Sequence, residues 1–73
     1  MKHNLIRCKK VKKDLKDYIL NNFPGLYHSV LTLFDNINQR WILVVKFGLL
    51  GRDNKSIYIP LYFKGVYVDI IYG

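Results

Sequence analysis

The chain has 73 residues, of which 51% are apolar and 15% aromatic, with a single cysteine and a formal net charge of +7. That length supports one domain, and the lone thiol, Cys8, excludes an internal disulfide. No apolar run reaches the roughly eighteen residues of a membrane-spanning helix, and the N-terminal residues lack the apolar segment of a signal peptide, so a cytoplasmic protein is expected.

Positive charge is concentrated at the front. Residues 1–16 hold Lys2, Arg7, Lys9, Lys10, Lys12, Lys13 and Lys16 against Asp14 alone, a net +6, and the rest of the chain adds one further unit. Such a block repels itself and needs either full solvation or an anionic partner. Residues 1–8 read as a flexible basic arm, and the helical pattern covers residues 9–23. At about 100° per residue, Val11, Leu15, Tyr18, Ile19 and Asn22 share a stripe about 100° wide. Lys9, Lys12, Lys13 and Lys16 fall together on the adjoining flank, with Leu20 among them. No Ser, Thr or Asp stands where it would cap a start near Lys9, so the first turn is expected to fray. Pro24 and Gly25 stop the helix near Asn22.

Residues 26–73 read as an antiparallel sheet rich in β-branched and aromatic residues. Tyr27 to Phe34 and Arg40 to Phe47 make a hairpin around the polar segment 35–39. In the second strand Trp41, Leu43, Val45 and Phe47 share one face, and Ile42, Val44 and Lys46 the other. Both being largely apolar, the strand is expected to be central. Residues 48–56 form a loop, Ser56 to Ile59 a short third strand ended by Pro60, and Lys64-Gly65 a turn into a last strand, Val66 to Tyr72. The expected fold is therefore α+β, with one N-terminal amphipathic helix packed on a three- to four-stranded antiparallel sheet. One helix covers one sheet face. Ile42, Val44, Tyr67 and Ile71 would then be left exposed on the other, a patch of the kind that marks a protein interface or self-association. A chain this short buries only about 60% of its unfolded surface, which gives a second reason to expect a partner.

The lysine flank has two competing readings, the solvated side of a helix or an anion-binding surface. Lysines in a helix's first turns oppose its dipole by about a few tenths of a kcal/mol each. Only Asp14 and Asp17 stand four residues after a lysine, Lys10 and Lys13, so helix stability does not explain the placement. The candidate contacts are Arg7, Lys9, Lys10, Lys12, Lys13 and Lys16, with Arg52, Lys55 and Lys64 as secondary ones. Four to six phosphate contacts would give a salt slope of roughly −4 to −5. Tyr58, Tyr62, Phe63 and Tyr67, near Lys55 and Lys64, could stack the bases of a single strand, or simply fill the sheet's periphery. A basic amphipathic helix also suits an anionic membrane surface, but this helix is the only one available to cover the sheet.

Catalysis, metals and cofactors find little support. Ser29, His28 and Asp35 alternate faces along one strand, which a triad cannot do. Cys8 with His3 lacks an orienting third group; Arg7, Lys9 and Lys10 could lend Cys8 some thiolate character, but an incidental thiol is the favoured reading. No cofactor motif occurs: residues 48–52 lack the Gly-Lys-Ser/Thr ending of a phosphate loop. Two histidines and one cysteine do not suggest a metal site. The expectation is a non-enzymatic binding protein, a small regulator or inhibitor, presenting its lysines to nucleic acid or to an acidic surface of a nucleic-acid-handling protein. The alternative is an interaction or oligomerisation module working through the apolar sheet face, its lysines merely solvated. The chain has no glutamate or alanine and is rich in Phe, Ile, Lys, Asn and Tyr. AT-rich codons give that bias, which suits a low-GC bacterium or a virus or mobile element within one. A viral protein would act in the host cytoplasm.

Overall fold

Helix α1 runs from Lys2 to Asn22 in the computed structural model, which describes residues 2–48 and 57–72. It does not wait for Lys9: within the segment expected to be a flexible arm, residues 2–8 are helical. Cys8 explains the longer helix. It lies three residues before Val11 and extends the apolar stripe, so that Cys8, Val11, Leu15 and Ile19 are all buried. The helix closes where Phe23 N donates to Ile19 O at 2.8 Å, and Gly25, at φ 90°, turns the chain toward the sheet.

Strands β1 (His28–Asp35) and β2 (Arg40–Phe47) form the expected antiparallel hairpin, with Val30 opposite Val45 and Leu33 opposite Ile42. Asp35 organises its loop. One carboxylate oxygen accepts from the N–H groups of Ile37 and Asn38 at 3.0 and 3.3 Å, and the other from the Asn38 side-chain amide at 2.9 Å. These bonds favour the charged form, so the Asp35 carboxyl is held below its ordinary range, chiefly by the Asn38 side chain.

The second half departs from expectation in two respects. Residues 57–60 are irregular, so the short strand expected at Ser56 to Ile59 does not form there; Ser56 itself lies outside the described residues. The third strand, β3, is instead the pair Tyr62–Phe63, and β4 is Val66–Tyr72. The sheet order is β1-β2-β4-β3, with β4 parallel to β2 and antiparallel to β3. The sheet is therefore mixed and not purely antiparallel. Residues 48–65 supply a connection long enough for a parallel return, which a tight turn cannot give. Between β3 and β4, Lys64 and Gly65 both have positive φ, 51° and 83°, as the two central residues of a type I′ turn do.

One sheet face meets the helix. Val30, Leu43, Val45, Phe47, Phe63, Val66 and Val68 bury their side chains against Cys8, Val11, Leu15 and Ile19. Tyr18, Trp41, Ile57 and Ile59 pack around this core. Burial of such side chains contributes roughly 1.5–3 kcal/mol each, and it fixes how α1 is rotated about its own axis.

Candidate anion-binding surface

That rotation decides where the lysines go. One flank of α1 is tied to the β3–β4 hairpin. Arg7 Nη2 donates to Lys64 O at 3.1 Å, Lys64 Nζ pairs with Asp14 Oδ2 at 2.9 Å, and the Tyr18 hydroxyl donates to Tyr58 O at 2.9 Å. Tyr18 also packs its ring 5.3 Å from that of Phe63. Lys9, Lys12, Lys13 and Lys16 lie on the opposite flank, on the side of β1. Lys9, Lys13 and Lys16 are exposed and Lys12 is half-buried at the edge of the core. At a rise of about 1.5 Å per residue these four positions spread over roughly 10 Å of helix axis.

The described residues contain two salt bridges, Lys64–Asp14 and Arg40–Asp35, and neither uses a lysine of this flank. The four cations of this row therefore form no salt bridge among the described residues, although Asp17 stands one helical turn after Lys13. With the helix beginning at Lys2, the four occupy its middle, so the opposition to the dipole expected for first-turn lysines does not apply to them.

The other predicted positions are dispersed. Lys10 is exposed but falls outside the row. Arg7 is committed to the Lys64 carbonyl, and its guanidinium lies against Gly65. Lys64 neutralises Asp14. Arg52 and Lys55 lie outside the described residues. The aromatic set does not form one stacking surface: Phe63 is in the core, whereas Tyr62 and Tyr67 stand edge-to-face at 5.8 Å on the sheet face away from the helix. Arg40 lies over the Tyr67 ring at 4.5 Å and donates to the Tyr62 hydroxyl at 3.0 Å. The sequence reading missed this Arg40 cluster. Arg40 joins Tyr62 only because β4 lies between β2 and β3, a pairing the antiparallel expectation did not contain.

Ile42, Val44, Tyr67 and Ile71 do share the open face, as expected, but they are not all exposed. Ile42 and Val44 are buried by their own neighbours, because β1 and β4 flank β2 on both sides. Leu31, Leu33 and Ile71 are exposed on that face, and Leu33 and Ile71 line a concavity of about 460 Å³ together with Asp35, Ile37 and Asp69.

Cys8 is fully buried, and burial pushes its thiol above the ordinary value, which speaks against thiolate character. Ser29, His28 and Asp35 are not gathered either, since Asp35 serves its own loop at the far end of β1 from His28. Among the described residues no helix is long and apolar enough to cross a membrane. No protein family, curated protein or solved structure matches this chain.

Proposed function

We propose that this protein is a non-enzymatic binding protein that holds a nucleic acid along the Lys9–Lys12–Lys13–Lys16 flank of α1. The observation that carries the reading is the row itself: four cations on one flank, with every described salt bridge formed elsewhere. Unpaired cations in a row lose self-repulsion when a polyanion replaces their counterions, and release of the polyanion's own counterions drives binding. A small regulator or inhibitor from a virus or mobile element would fit such a module. The direct test is a gel-shift series with single- and double-stranded probes at low and moderate salt, alongside the charge-reversed variant Lys9→Glu/Lys13→Glu checked for folding by circular dichroism. Retarded probe at low salt that is lost in the variant supports the reading, and no retardation at low salt sinks it.

A second reading rests on Leu31, Leu33 and Ile71, exposed on the open sheet face around buried Ile42 and Val44. In this reading the protein engages another protein through that face, and the lysines are only solvated. Complexes of this kind would tolerate salt and be broken by Ile71→Asp. Val44→Asp is the wrong probe, because Val44 is buried in the folded chain and the substitution would attack the fold.

A further inference from the structure

Strand β1 is the long edge of the sheet. It spans eight residues, His28–Asp35, pairs with β2 on one side, and has no strand on its other side among the described residues. The opposite edge, β3, has only two residues. Edge strands are ordinarily protected from pairing by proline, lysine, a bulge, or an inward-pointing charge. β1 has none of these. Its register with β2 is unbroken, and its only carboxylate, Asp35, is occupied by its own loop and by Arg40.

We infer that β1 is the docking edge for a second copy of this chain, antiparallel and centred on Thr32. The sequence around Thr32 is close to palindromic in character: Val30 lies in the core under the helix, alternation puts Phe34, opposite Trp41, on the same side, and it puts Leu31 and Leu33 on the open one. Antiparallel pairing about Thr32 sets Leu31 of one copy against Leu33 of the other and Val30 against Phe34, each contact made twice, as a two-fold interface requires. Ser29 then faces Asp35, so no like charges meet along the strands. A register centred on Leu31 instead places Ser29 against Leu33 and His28 against Phe34, losing both apolar matches. The paired strands would gain about one hydrogen bond per residue, and the two sheets would join into one. Leu31 and Leu33, 37% and 45% exposed in the single chain, would be covered.

The same pairing has an electrostatic signature. The lysine flank of α1 lies on the β1 side, so the two-fold brings two such rows toward each other across the joined edge. Their repulsion is screened over about 8–10 Å at ordinary ionic strength. Association is therefore favoured by salt, opposite in sign to nucleic-acid binding, and it does not depend on the proposed function being right.

Sedimentation equilibrium of the full chain from micromolar to millimolar concentration, at low and high salt, reads this. A dimer that tightens with salt is expected, lost in the folded variant Leu31→Lys/Leu33→Lys and kept in Ile71→Lys, which alters the open face away from β1. Amide exchange on the unsubstituted chain reads the same contact without a mutation: amides within residues 29–35 slow as concentration rises. A chain that stays monomeric throughout overturns the inference. So does a dimer that loosens with salt, or one that Ile71→Lys abolishes, since that dimer would be stacking its sheet faces. Exchange that stays independent of concentration in β1 while the chain dimerises overturns it equally.

Discussion

Neutralising Lys9 and Lys13 together, without reversing them, gives the proposed interface a quantitative test. The structure commits Arg7 and Lys64 to other partners and leaves Lys9, Lys12, Lys13 and Lys16 in the row. Four phosphate contacts on duplex DNA give a slope of log affinity against log salt of about −3.6, shallower than the six candidate cations would. Between about 50 and 200 mM salt, that slope lowers affinity roughly 150-fold. Lys9→Gln/Lys13→Gln leaves two contacts and a slope of about −1.8, so the same interval costs only about 12-fold. Fluorescence anisotropy with a labelled duplex over a salt series measures both slopes, and circular dichroism confirms that the variant folds. Equal slopes for the two proteins would refute the assignment of these lysines even if binding itself were real.

Three further outcomes follow from the core, the turn and the loop. Leu15→Ala, which truncates a side chain with no exposed surface, should destabilise the fold by about 2–5 kcal/mol, read by urea denaturation. Gly65→Ala places a Cβ at φ 83° and 2.6 Å from Arg7 Nη2, so the guanidinium must move. We expect a loss of about 1–2 kcal/mol from the left-handed backbone, and a smaller loss when Arg7 is already replaced by alanine. Asp35 governs part of the acid limb. Because its folded carboxyl is held below the ordinary range, the unfolded chain binds more protons between the two values. Its contribution is complete above the ordinary carboxylate range and disappears as pH falls through the folded value. Asp35→Asn should flatten the acid side of the stability profile, and an unchanged acid limb would show that other carboxylates control it.

Local chemistry was legible in the sequence wherever period and turn residues agreed. The strand β2, the last strand β4 and the Lys64-Gly65 turn follow directly from alternation and from a glycine at a tight reversal. The lysine flank was legible for the same reason, since helical spacing alone sets which cations are neighbours. Three features were not. The helix start was missed because Cys8 stands among Arg7, Lys9 and Lys10, whose charge obscures its place in the apolar stripe. The parallel β2–β4 pair was missed because alternation records which face a residue occupies and carries no strand direction. The Arg40–Tyr62–Tyr67 cluster depends on that pairing and could not be found before it. The burial of Ile42 and Val44 has the same origin, for a sheet position is covered by the strands on either side as well as by what lies above.

Because β2 pairs in parallel with β4 and not with β3, the two hairpins of the sheet cannot join until the last strand has been made. A nascent chain that has exposed only α1 and the first hairpin keeps one side of β2 unpaired, and α1 still lacks the anchors at Lys64 and Tyr58. Closing residues 48–65 carries an entropic penalty that no earlier contact offsets, a topology that slows folding. During that interval two apolar strand borders are open on the same molecule. Synthesis in a crowded cell would thus expose this small protein to mispairing for longer than its length suggests, and a holdase that shields β2 until β4 arrives would raise its yield.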